Sequence, residues 1–152
     1  ATFLWSENLL QTGIRNINAP ICPPLQTCSS TSPRPNPSEG HIYLYESIGN
    51  LNQQQIVINF NSNALKGLSL NGNYRFGFTK SNIDGSGSFP SYSYDLDSDY
   101  GTASSDIRHS VSFQSSYQLP WKVRISPSLN ISSGRPFNIT SGVDSNRDSI
   151  FN

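Results

Sequence analysis

From Gln54 to Ser133 the chain alternates apolar and polar side chains with a period of two. Ile56, Ile58 and Phe60 share one parity, and Asn59, Asn61 and Asn63 the other. Leu68, Leu70, Tyr74, Phe76 and Phe78 then alternate with Ser69, Asn71, Asn73, Arg75 and Thr79. Val111, Phe113, Tyr117 and Leu119 alternate with Ser110, Ser112, Gln114, Ser116 and Gln118. Val123, Ile125, Leu129 and Ile131 alternate with Arg124, Ser126, Ser128, Asn130 and Ser132. This period is that of β-strands with one apolar face and one wet face. Each run is about ten residues, the length that crosses a bilayer when tilted. The apolar parity is therefore expected to meet lipid.

Composition supports the same reading. Of 152 residues, 34% are hydrophobic and only 13% charged. Soluble domains run nearer 45–50% apolar and about 25% charged. Ser, Asn, Gly and Thr fill the gap. A disordered chain would combine low hydrophobicity with high net charge, yet the formal charge here is zero and aromatics reach 11%. The neutral balance offers no electrostatic basis for nucleic acid. No run is long and apolar enough for a transmembrane helix. The first residues have no basic region of the signal-peptide kind. The lack of Met anywhere suggests a processed piece of a longer polypeptide.

The expected architecture is all-β: an antiparallel up-and-down meander of about five strands within residues 1–152. It is either part of a transmembrane β-barrel or an open sheet completed by other copies. Long loops are expected at about 17–40, 81–106 and 134–152, and tight turns at about 64–67 and 120–122. Six prolines between Pro20 and Pro37 forbid regular pairing in the first loop. Alternation of long loops with tight turns is a barrel habit, the long loops being extracellular. Residues 7–16 fit either a helical turn or a strand extension, and a strand from about Ile42 to Asn63 allows a break near Gly49. Tyr117 and Trp121 at one end, and Tyr43, Tyr45, Tyr74, Phe76 and Phe78 towards the other, suit interfacial girdles.

Chemistry is sparse. No nucleophile–base set, P-loop or His-Glu-x-x-His motif occurs, so no catalytic residue and no cofactor is nominated and the chain reads as non-enzymatic. Cys22 and Cys28, close together in the Pro-rich loop, favour a disulfide over free thiols. Asp144, Asn146 and Asp148 space three oxygens as the first half of a calcium loop does. Arg147 and Ser149 stand where glycine would help, so a plain polar turn is the first expectation and calcium the second. Asp95, Asp97, Asp99 and Asp106 make the second loop acidic, suiting a solvated face more than a cation site. Arg75, Arg108 and Arg124 fall on the polar parity of successive strands, where lumen-facing charge would tune an anion path. His41 and His109 suit strand ends or interfaces.

Several strings in order carry a resemblance. They are Arg15-Asn16-Ile17-Asn18-Ala19-Pro20, Tyr45-Glu46-Ser47-Ile48-Gly49-Asn50, and the run from Tyr100 through Asp106-Ile107-Arg108-His109. Leu119-Pro120-Trp121 and Ser133-Gly134-Arg135-Pro136-Phe137-Asn138-Ile139-Thr140 follow. The chain resembles the C-terminal β-barrel of TonB-dependent-receptor-like outer-membrane proteins, of the carboxypeptidase-regulatory-like type common in Acidobacteria. The resemblance implies a bacterial outer-membrane transporter. Its partners would be membrane lipid, the remainder of the barrel and an inner-membrane energising complex. Ligand contact would lie in the long extracellular loops. The chain would then be a fragment of that barrel, because five strands cannot close one. The alternative is an extracellular structural subunit, in which other copies add strands to form a β-rich filament or adhesive assembly.

Overall fold

Period-two alternation becomes an antiparallel sheet in the computed structural model, which describes residues 2–22, 27–63, 65–140 and 142–151. The strands are β1 (Thr2–Asn16), β2 (Tyr43–Ser62), β3 (Leu68–Ser81), β4 (Gly101–Thr102), β5 (His109–Gln118), β6 (Arg124–Ile125) and β7 (Ser128–Ser132). The order is β1-β2-β3-β5-β6, with β4 paired to β3 and β7 to β5. Two short 3-10 turns, Asp97–Asp99 and Pro120–Lys122, are the only helical geometry among the described residues. The all-β expectation holds, and the sheet is open. The chain divides into two compact units, described in turn.

The first unit comprises Ala1–Ser6, Gln53–Thr79 and Ser105–Arg135. Its register sorts side chains by polarity. Tyr74 pairs with Val111 and Val111 with Ile131; Gly72 pairs with Phe113 and Phe113 with Leu129. On the alternate rows Arg75 pairs with Ser110 and Ser110 with Ser132, and Asn73 with Ser112 and Ser112 with Asn130. A one-residue slip would exchange the two faces, so the pattern itself holds the register. Asn73 also donates from Nδ2 to Asn59 Oδ1 at 2.6 Å, extending the polar face onto β2. On the apolar face a Cβ at Gly72 would meet the Phe113 ring at 3.7 Å and Phe60 at 3.8 Å. These are ordinary van der Waals distances, so Phe113 and Phe60 pack beside the Gly72 backbone without closing off the space of a Cβ. At Gly77 a Cβ would stand 2.8 Å from the Gln54 carbonyl oxygen, closer than real contacts allow.

The apolar face is bare. Phe60 is 54% exposed, Leu129 51% and Ile131 55%. Nothing in the described part of the unit covers them.

Two tight turns of this unit are closed by local backbone hydrogen bonds. Leu68 N–H donates to Leu65 O at 3.0 Å, and Gly67 takes φ 81°. Ala64, the first residue of that expected turn, lies outside the described residues, as do residues 23–26, 141 and 152 of the expected loops. At the second turn Leu119 N–H donates to Val123 O at 2.8 Å, with Trp121 and Lys122 both left-handed at φ 66° and 62°. The expected strand from Val123 to Ser133 is split between β6 and β7. Both pieces keep one register on β5, and Ser115 N–H still reaches Pro127 O at 3.1 Å. Pro127 has no N–H to return, which interrupts the ladder.

The second unit comprises Glu7–Asn52, Lys80–Ser104 and Pro136–Asn152. Residues 7–16 extend β1, which resolves the helix-or-strand ambiguity. β2 runs unbroken through Gly49, where a Cβ would lie 2.9 Å from Gln11 Cβ and 3.2 Å from Ile83 Cβ. That glycine marks close packing rather than a break. β4 inside the second long loop pairs Thr102 with Lys80 and Gly101 with Ser81. The buried apolar set is small: Ile14, Ala19, Cys22, Cys28, Ile83 and Ala103. Most of what surrounds it is polar.

Candidate functional site

In the second unit the loops are held by side-chain hydrogen bonds in place of a large apolar core. Asn16 and Asn18, each 1% exposed, are the hubs. Asn16 Oδ1 accepts the N–H groups of Asn18 at 3.1 Å and Ile42 at 3.2 Å. Its Nδ2 therefore faces His41 Nδ1, at 2.7 Å. An amide nitrogen only donates, so Nδ1 accepts and Nε2 carries the proton. That Nε2–H reaches Ser149 Oγ at 2.9 Å. Asn18 Nδ2 lies 3.0, 3.1 and 2.7 Å from the carbonyls of Asn36, Glu39 and Gly40, and its Oδ1 accepts Asn36 N–H at 2.8 Å. One side chain thus folds the far half of the Pro-rich loop. Buried amides are costly unless fully partnered, and these are.

Other contacts tie the three long loops together. Cys22 and Cys28 form a disulfide with Cα atoms 5.6 Å apart, the outcome the sequence favours. Tyr92 OH donates to Cys22 O at 2.7 Å and Tyr94 OH to Ala19 O at 2.7 Å. Cys28 N–H donates to Ser145 O at 2.8 Å, and Asn146 Nδ2 to Ser91 O at 2.8 Å. Arg15 and Glu46 form an ion pair at 2.7 Å. Burial, and then the neighbouring Tyr92, push the Tyr94 hydroxyl above its usual value.

Asp144, Asn146 and Asp148 do come together. Asp144 Oδ1 and Oδ2 accept the N–H groups of Asp148 at 3.1 Å and Ser149 at 3.0 Å. Asp148 Oδ1 accepts Ile150 N–H at 2.8 Å, and Oδ2 accepts Asn146 Nδ2 at 2.9 Å. Each of these carboxylate oxygens accepts one N–H, the hydrogen bonding of a polar turn. Among the described residues no group of three or more His, Cys, Asp or Glu is placed to hold a metal ion. Burial raises the Asp148 carboxyl above the usual carboxylate range, against the hydrogen bonds from Ile150 and Asn146.

The three arginines separate. Arg75 stands on the polar row with Ser110, and Arg124 reaches Gln118 Oε1 at 3.4 Å on the same face. Arg108 is bound instead to the buried Asp106, at 2.9 Å, with its guanidinium 4.4 Å above the Phe78 ring. Asp106 also accepts Thr79 N–H at 2.8 Å. His109 lies on the apolar face, its Nδ1 2.9 Å from Tyr74 OH.

A cavity of about 310 Å³ opens among residues of the second unit. Its wall includes Asn82, Asp84, Phe89, Asp99, Asn138 and Thr140. Sequence reasoning missed both this cavity and the Asn16, Asn18 and His41 hubs. The available signal was a pair of turn-forming asparagines ending a strand just before a Pro-rich loop.

A family model described as "Outer membrane beta barrel domain" matches residues 6–151. No curated protein and no solved structure matches the chain.

Proposed function

Since the chain belongs to the outer membrane beta barrel domain family, and so to the bacterial outer membrane, we propose that it is a lipid-embedded, non-enzymatic segment of a receptor-like transporter. Its long loops face outward and contact the ligand. The observation that carries this reading is the register that sorts Tyr74, Val111 and Ile131 from Arg75, Ser110 and Ser132. An apolar face that no described residue covers has lipid as its natural solvent. The polar rows would then line a lumen. Arg75 and Arg124 contribute the charge there, while Arg108 is largely neutralised by Asp106.

The unpaired sheet edges would be completed by further strands of the same barrel, because unpaired N–H and C=O groups cost several kcal/mol each in lipid. The loop cluster supports the receptor half of the proposal. Loops fixed by a disulfide and buried asparagines can hold a binding surface in one shape. Coupling to an inner-membrane energising complex belongs to the parent transporter by resemblance.

Thiol labelling in intact cells tests the orientation. Ser98→Cys in the second long loop should react with a membrane-impermeant maleimide. Lys66→Cys in the tight turn should react only after the outer membrane is opened. Equal labelling of both in intact cells, or release of the protein as a polymer without detergent, overturns the proposal.

A further inference from the structure

We propose that the cavity of the second unit is a binding subsite for a neutral, polyhydroxylated ligand, in chemical class a single sugar ring of a carbohydrate. The proposal deepens the receptor reading and takes its biological meaning from it, but the binding itself does not require transport. Asn82 is the key observation. It is only 8% exposed, and its Oδ1 accepts Asn50 N–H at 2.7 Å. Its Nδ2 donates to no described residue. Yet every side-chain nitrogen or oxygen closed off from solvent among the described residues has a partner. Nδ2 is therefore open to solvent, and the solvent Asn82 borders is that of the cavity it lines. Water in the cavity can accept from Nδ2, and a ligand oxygen in the same place would take over that hydrogen bond.

The surrounding groups define what that something is. Asp84 Oδ1 accepts Ser104 N–H at 3.1 Å, and the Asp99 carboxylate accepts Ser91 N–H at 2.7 Å together with the Ser91 hydroxyl. These bonds hold both carboxylates still and leave acceptor capacity over. Phe89 and Ile139 supply apolar wall. No Lys, Arg or His lines the cavity, so an anion finds no countercharge. A bare cation would meet the positive end of the Asn82 amide. A vicinal diol satisfies the whole set: its hydroxyl protons go to the carboxylates, its oxygen accepts from Asn82, and its C–H face lies on the apolar wall. At about 310 Å³ the volume is at the small end of ligand pockets and suits one ring.

The experiment uses the detergent-extracted protein and saturation-transfer NMR with glucose, galactose, mannose and N-acetylglucosamine, each titrated to tens of millimolar. Calcium and spermidine are titrated in parallel. At least one sugar should bind. Asn82→Asp keeps the acceptor for Asn50 but removes the donor, and should weaken that sugar about tenfold. Thr140→Val, on the exposed rim, provides a second variant that does not disturb the fold and should also weaken it. The proposal is overturned if no sugar binds, if both variants bind sugar as the parent does, or if calcium or spermidine binds and Asn82→Asp tightens it. Sugar binding without uptake of that sugar by cells would sink the transport reading alone.

Discussion

Asn18 shows how much of the loop cluster rests on single polar side chains. Its amide serves three carbonyls and one backbone N–H while 1% exposed. Asn18→Ala would leave those groups buried without partners, so a loss of about 2–4 kcal/mol is expected. Urea unfolding of the protein in lipid vesicles would measure it, and faster exchange of the Asn36 amide would localise it. Asp148 makes a complementary case. Its folded pKa lies above the ordinary 3.8 because burial disfavours the charge. A raised pKa contributes stability that is fully present below the unfolded value and lost as pH rises through the folded one. Protection of residues 142–151 should therefore fall as pH climbs above 3.8. In Asp148→Asn that pH dependence should vanish. Hydrogen exchange across the pH series checks the sign, and a protection that instead rises with pH would refute it.

At the scale of the strand, the alternation of β5 carries the membrane reading. Phe113 and Ser112 are neighbours in sequence but stand on opposite faces, opposite Gly72 and Asn73 of β3. Phe113→Arg places a charge towards hydrocarbon and should cost about 2–4 kcal/mol near the bilayer midplane. Ser112→Arg on the polar face should cost within about 0.5 kcal/mol, the usual range for a substitution that breaks no buried feature. Unfolding in vesicles would separate the two, and equal penalties would contradict the face assignment. The turn at Trp121 and Lys122 makes a second point. Both residues hold φ near 60° without being glycine, a conformation that costs a side-chain-bearing residue roughly 1–2 kcal/mol. Lys122→Gly should recover about 1 kcal/mol of that in the same assay.

For the molecule as a whole, the two units rely on different forces and should respond to different insults. The first rests on backbone ladders and carries an apolar face that no described residue of the unit covers. The second rests on the Cys22–Cys28 disulfide and on buried asparagines. The disulfide closes a short loop, so reducing it should remove about 2 kcal/mol. Hydrogen exchange after reduction should quicken in residues 27–40 and 142–151. Residues 109–118, paired along β5, should be unaffected. A reduction that also melted β5 would show that the units are not independent in this respect.

Period-two patterning alone was enough to read the sheet, because one buried or lipid-facing side demands it over every strand and a register slip would be penalised at each residue. The disulfide was readable because two cysteines so close have few other partners. What stayed illegible was contact between residues distant in sequence. Asn16 meeting His41, Asp84 meeting Ser104 and Asn146 meeting Ser91 leave no periodic trace. Asparagine is equally at home in a solvated loop and in a buried hub, and only the folded chain decides which. The same holds for the contacts of Arg108 with Asp106 and Phe78, which strand parity does not announce. Local patterning set the strands and their two faces; the long-range hydrogen bonds that shape the loops, and the cavity among them, came into being only when the chain closed on itself.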